Sequence, residues 1–172
     1  ADERNCVRNR VEAYTENIDF HKKSLKHITY PFKIIYSVNA RKQIRKVLSD
    51  FKPDVVHLNN FNYQLTPSII YEIKKRNIPI VYTAHDVQLV CPNHKLKNDY
   101  TDGLCRKCDG GKYFECVKNN CVHSSKIRSI LGAVEAWYYK LRHTYKMIDL
   151  TVCPSEFMEK EISRNDDING RT

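Results

Sequence analysis

The sequence predicts an α/β fold: a Rossmann-like parallel sheet with flanking helices that carries a cysteine-rich insertion. Two short apolar runs, at 54–58 and 79–84, bracket a stretch with helical periodicity. Strand, helix and strand within about 30 residues make a βαβ unit, with parallel strands and a right-handed crossover. The second run stops at two titratable side chains, His85 and Asp86. The carboxyl ends of strands are where open parallel sheets bind ligands. Cys91, Cys105, Cys108, Cys116 and Cys121 then fall within one polar stretch.

Each element has a local reason. Residues 1–33 are polar and weakly periodic, so loop with room for a short helix is expected there, punctuated by Tyr30-Pro31. Within 34–51, Ile44, Val47, Leu48 and Phe51 recur at the spacing of one helical face. Lys52-Pro53 ends that helix, because the residue before proline avoids the α region. The strand at 54–58 (DVVHL) opens into a polar and aromatic loop at 59–64. Thr66-Pro67 then reads as a helix start, threonine as N-cap and proline at the first helical position. Ile69, Ile70 and Ile73 point inward, and Lys74-Lys75-Arg76 suit the negative end of the helix dipole. Asn77 reads as the C-cap before the strand at 79–84.

The insertion spans about 91–124, and a long helix is expected over 125–147. Ile127, Ile130, Leu131, Val134, Trp137, Tyr138 and Leu141 are expected on its buried side. Gly132, which costs about 1 kcal/mol relative to alanine in a helix, marks a close packing contact. A third strand follows at 149–153, and Pro154-Ser155 opens a terminal helix with Ser155 as N-cap. Residues 34–164 thus form the folded unit, and 165–172 read as a frayed tail. With three parallel strands, Asn59-Asn60, His85-Asp86 and Pro154-Ser155 leave the sheet at one edge. That edge is the expected site.

Size and charge set the bounds. The 172 residues suit one domain with a real core. No apolar run approaches the roughly 20 residues of a membrane span, and ADERNCVRNR at the N-terminus lacks the apolar core of a secretory signal. A cytoplasmic location is expected. The net charge of +9 calls for something anionic nearby, a phosphorylated substrate, an acidic membrane face or nucleic acid. The charge is scattered in short groups such as Lys22-Lys23 and Arg45-Lys46, which suits solvated helix faces, and no nucleic-acid-binding fingerprint accompanies it. The five glycines, at 103, 110, 111, 132 and 170, follow no predicted strand in a phosphate-cradling pattern.

Several side chains carry candidate chemistry. His85 at a strand tip, with Asp86 beside it, suits acid, base or hydrogen-bonding work. Asn59 and Asn60 present amides that match sugar-like hydroxyls, although asparagine also simply suits loops. His57 lies inside a strand, where a packing role competes with a site role. Among the cysteines, Cys105 and Cys108 have CxxC spacing, and His94 and His123 lie nearby. The segment is too polar to build its own core and needs a staple. A four-thiolate zinc site from Cys105, Cys108, Cys116 and Cys121 has suitable spacing, with Cys91 as a substitute for one of them. Disulfides, or free thiols in a mobile loop, are the alternatives. A redox centre is disfavoured because the CxxC does not open a helix after a strand. Cys6 and Cys153 look incidental.

The run KPDVVHLNNFNYQLTPSIIYEIKKRNIPIVYTAHDVQLVCP resembles the N-terminal domain of glycosyltransferase family 4, retaining enzymes of the GT-B architecture. A PDVVHxH-type strand and loop, a helix, and a strand ending in T-x-H-D are that family's pattern. Some bacterial members continue with a cysteine-bearing insertion, a long helix and a V-x-x-PS-x-F step. Here that step is Thr151-Val152-Cys153-Pro154-Ser155-Glu156-Phe157, one residue shorter between valine and proline. The resemblance covers about 34–162.

It implies transfer of a sugar from a nucleotide-sugar to a glycan or lipid-linked acceptor in surface polysaccharide synthesis. His85 would contact the donor sugar, Asp86 would hold its loop, and the loops after His57 and Asp86 would line the acceptor pocket. Asn59 and Asn60 would bind substrate there, with Ser155 at the neighbouring strand end. Peripheral contact with an anionic membrane face is compatible with the basic charge. Asn59 stands where many members have a second histidine. The family's opening strand with its glycine-rich turn, and its C-terminal nucleotide-sugar domain with the E-x7-E motif, have no counterpart here. The chain is therefore expected to be a truncated, acceptor-side portion, inactive alone, that works as a homo-oligomer or with a separate donor-binding half. The competing expectation is a zinc-stapled basic module that binds an anionic partner such as nucleic acid.

Overall fold

The computed structural model describes residues 35–61, 65–98 and 103–168. Helix α1, Val38–Phe51, is capped by Ser37, whose side chain accepts from the Ala40 N–H. It ends at Lys52, in the left-handed region with φ 46°, whose N–H returns to the Leu48 carbonyl. Ala40 and Leu48 are buried and Ile44 packs beside them. Phe51, expected on that inward face, is 58% exposed, because the chain turns away at Lys52.

Strand β1 is Val56–Leu58, helix α2 is Ile69–Lys74 and strand β2 is Ile80–Thr83. The βαβ unit is present, with α2 shorter than expected. Thr66 does not cap it. Thr66 sits at φ +55° with its hydroxyl buried, 2.7 Å from the Ser68 hydroxyl and accepting the Ser37 N–H at 3.2 Å. Residues 66–68 form a turn that ties the start of α1 to the start of α2. Ile69, Ile70 and Ile73 are buried as expected. Asn77 takes the left-handed conformation, φ 56°, that turns the chain into β2. Asp149, just ahead of β3, accepts the Ile80 N–H at 2.7 Å and pairs with Lys74 at 2.9 Å.

Two short helices, a 3₁₀ turn Asp109–Gly111 and α3, Phe114–Lys118, precede the long helix α4, Lys126–Leu141. The helix stops at Leu141, and left-handed His143 (φ 48°) leads into a 3₁₀ turn, Thr144–Met147. Of the side expected to be buried in α4, Tyr138 packs against the core, but most of the rest does not. Ser129, Ala133 and Tyr139 are buried. Ile127 is 73% exposed, Leu141 is 79% exposed, and Ile130, Val134 and Trp137 are exposed as well. The small residues let α4 lie close to its neighbours. A Cβ at Gly132 would stand 3.4 Å from the Pro92 carbonyl oxygen, the close contact expected of that glycine.

Strand β3 is Leu150–Val152, and α5, Glu156–Ile162, is capped by Ser155, which accepts the Met158 N–H. The expected frayed tail is not frayed over 165–168. Ile168 is fully buried, and the Asn165 side chain donates to the Leu89 carbonyl at 2.6 Å.

The sheet has the order β1-β2-β3, with both pairs parallel. The fold is α/β, a parallel sheet with flanking helices. Register places Val56 beside Ile80, and Leu58, Tyr82 and Thr151 in one row. Leu58, Ile80, Tyr82 and Thr151 are buried on one face. On the other face His57, Leu150 and Val152 are exposed and Val81 and Thr83 are half-buried. The core therefore lies on one side of the sheet, closed by Tyr139, Tyr145, Ile148, Ile162 and Ile168.

Candidate functional site

With all strands parallel, the residues that follow β1, β2 and β3 leave at the same edge. Register decides which side chains meet there. Asn59 and His57 share a face of β1, and Thr83 and His85 share the corresponding face of β2, because side chains alternate along a strand. The His57 Nε2 lies 2.8 Å from the Thr83 hydroxyl. The His85 Nε2 lies 3.1 Å from the Asn59 Oδ1. Two imidazoles, an amide and a hydroxyl thus form a hydrogen-bonding row on the open face, His57, Asn59 and His85 all being exposed. In the neutral tautomer that donates through Nε2–H to Asn59, Nδ1 is the lone-pair nitrogen.

Asp86 goes elsewhere. Its Oδ1 accepts the Gln88 N–H at 2.9 Å, an Asx-type turn, and its Oδ2 lies 3.3 Å from His94 Nδ1. The adjacent pair in the sequence is therefore split, with His85 on the open face and Asp86 inside the loop. Beneath that loop lies Tyr82, whose hydroxyl the Gln88 amide reaches at 3.4 Å. Burial, then the negative charge of Asp86, holds the Tyr82 phenol well above its ordinary value. Asn60 is exposed at the same edge. Ser155 lies at the end of β3, and its side-chain oxygen accepts the Met158 N–H at 3.3 Å.

Sequence reasoning missed two contributors. Thr83 shares the face of His85 two residues on, a signal available from strand alternation. Glu135, in the apolar run of α4, has its carboxyl pushed up to about 7 by burial, which the charge of His94 partly offsets. Its signal was a lone acid among apolar neighbours.

The cysteine segment forms a second cluster. Cys91, Cys105, Cys108, Cys116 and Cys121 line one pocket beside Leu96. All are free thiols, as is Cys153, which stands apart from that pocket. Burial and then the neighbouring thiols push the Cys108 thiol up, and Cys116 up to about 12. Among the described residues, no three His, Cys, Asp or Glu side chains are already arranged to hold a metal ion. The segment is docked on its surroundings. Arg106 pairs with buried Glu161 of α5, Arg164 pairs with Asp109, and the Trp137 indole N–H donates to the Gly111 carbonyl at 3.0 Å. No helix among the described residues is long and apolar enough to cross a membrane.

The family model described as Glycosyltransferase Family 4 matches residues 6–171. A Klebsiella pneumoniae protein described as "Uncharacterized 42.6 kDa protein in cps region" is 31% identical over 62 residues, 36% of this chain and 16% of that protein. The match thus spans about one sixth of the relative's length. No solved structure matches the chain.

Proposed function

Because the chain belongs to glycosyltransferase family 4, we propose that it forms the acceptor-side part of a retaining glycosyltransferase. The reaction moves a hexosyl-type sugar from a nucleotide-sugar to a glycan or lipid-linked saccharide in surface-polysaccharide synthesis. The observation that carries this reading is the row His57–Thr83 and Asn59–His85 on an open face at the carboxyl edge of a parallel sheet. Imidazole, amide and hydroxyl groups alternate donors and acceptors, the complement of a sugar's hydroxyls. The printed description of the Klebsiella relative, a protein of a cps region, supports the polysaccharide assignment.

In this reading His85 contacts the transferred sugar, and Asn59 holds the imidazole in position. Asp86 fixes the loop through the Gln88 N–H and His94. Asn60 and His57 face the acceptor. The sequence holds no glycine-rich phosphate cradle, so residues 1–172 alone bind saccharide without turning over donor, and a donor-binding half completes the cleft.

The test is ligand-observed NMR on the chain with a panel of oligosaccharides and nucleotide-sugars, beside a transfer assay. Saccharide binding is expected, weakened at least about tenfold by His85→Ala or Asn59→Ala, with an unchanged melting temperature. Absence of any saccharide binding would sink the acceptor-side reading. Robust turnover by the chain alone would sink the need for a second half.

A further inference from the structure

The cysteine segment has little apolar material of its own. Between 103 and 125 the buried side chains of the core are Tyr113 and Cys116. The backbone is folded by tight turns, with Asn120, His123, Ser124, Gly110 and Gly111 all at positive φ. Such a segment holds a fixed shape only if something other than a core fixes it. Three charged or polar links tie its outside to α4, to α5 and to Arg164 just beyond α5. Its inside is a pocket rimmed by five thiols brought from four places in the chain, at 91, 105 and 108, 116, and 121.

We propose that this pocket binds one zinc ion through four thiolates. Cys105 and Cys108 supply one half of the site, and two of Cys91, Cys116 and Cys121 supply the other. The chemistry selects the metal. Zinc takes four thiolates in a tetrahedron, with no demand on redox state, and soft sulfur donors exclude magnesium and calcium. The surroundings already supply a donor to sulfur, since the Asn98 side chain reaches Cys105 Sγ at 3.2 Å. Such outer contacts orient metal-bound ligands. The Cys105 N–H donates to the Leu96 carbonyl at 2.7 Å and the Cys121 N–H to the Cys116 carbonyl at 3.1 Å, so the ligand-bearing turns are themselves pinned. The thiols do not yet converge as a ready site. Each has a single χ1 torsion with three staggered wells, and rotation about these torsions is the smallest movement by which the sulfurs can converge.

The site also has a position. Cys91 lies on the turn closed by its N–H to the Val87 carbonyl at 2.9 Å, directly after the Asp86 turn. Zinc there would join the loop behind His85 to the packing of α4 and α5. The inference does not depend on the sugar-transfer reading.

The experiment is metal analysis of the full chain purified without chelator, followed by zinc removal and reloading with zinc alone or cobalt alone. The expected result is about one zinc per chain with four thiols protected from a thiol reagent. Cobalt should give intense thiolate charge-transfer bands. Cys105→Ser and Cys108→Ser should each lower zinc occupancy at least about tenfold, and Cys153→Ser, outside the pocket, should leave it unchanged. Should the serine variants fail to fold, the cobalt spectrum of the unaltered chain decides. Zinc below about a tenth per chain, an absent charge-transfer band, or undiminished zinc in Cys105→Ser and Cys108→Ser overturns the proposal.

Discussion

His85 and Asp86 are neighbours in sequence and go to different work, because a strand tip sends successive side chains to opposite faces. His85 joins Asn59 on the open face, while Asp86 closes its own turn and meets His94. Close to His94, Glu135 is a carboxyl that folding shifts strongly. Its carboxyl rises to about 7, against an ordinary value of 4.5, chiefly through burial. The folded protein therefore binds more protons than the unfolded chain between those values, and stability falls as pH rises from 4.5 to about 7. Glu135→Gln removes that penalty. In urea titrations the variant should match the parent near pH 4 and exceed it by about 2 kcal/mol at pH 8. An equal offset at both pH values would show that packing, not ionisation, is what the substitution changes.

At the scale of elements, the sequence was legible wherever chain chemistry acts locally. Pro53 stops α1, the isoleucines of α2 share a face, and Ser155 caps α5. The strand-end edge was legible for the same reason, since short apolar runs ending in polar residues need no distant partner to be read. Two elements were misread where a distant partner decides. The Thr66 hydroxyl is taken by Ser37, 29 residues away, so it cannot cap α2. Helix α4 has apolar residues on more than one side, and a hydrophobic tally favours the side with Ile127, Val134 and Leu141. The helix instead approaches its neighbours through Ser129, Gly132 and Ala133, which score low because they are small. The Ser129 hydroxyl accepts the Val122 N–H at 3.0 Å in that contact.

The junction of α1 and α2 gives a further test. Glu72 is 3% exposed and meets Arg41, with Arg45 and Lys75 nearby. Burial alone would raise its carboxyl, but the Arg41 hydrogen bond and the surrounding cations outweigh it and hold the group below its ordinary value of 4.5. A depressed carboxylate stabilises above its unfolded value and stops doing so as pH falls through its folded one. Glu72→Gln should therefore cost about 2 kcal/mol at pH 7. The difference from the parent should shrink as pH drops below 4.5. A pH-independent cost would assign the loss to shape.

At the scale of the whole molecule, the sheet is dressed on one face and, among the described residues, open on the other, and the candidate site lies on the open one. Strand β3 places the two environments side by side. Thr151 is 1% exposed, and its hydroxyl has no hydrogen-bond partner among the described residues. Val152, one residue on, is 42% exposed. Composition alone would rank the valine as core and the threonine as surface, the reverse of what the pleat imposes. Thr151→Val keeps the shape and removes a buried, unpaired hydroxyl, so it should stabilise the protein by about 1 kcal/mol. Val152→Thr should change stability by less than about 0.5 kcal/mol, as surface substitutions do. Chemical denaturation of the two variants reads both numbers. If Val152→Thr instead costs more than about 1.5 kcal/mol, the face carrying His57, Thr83 and His85 is packed against something in the intact chain. The saccharide would then have to reach His85 from the sheet edge rather than across the open face.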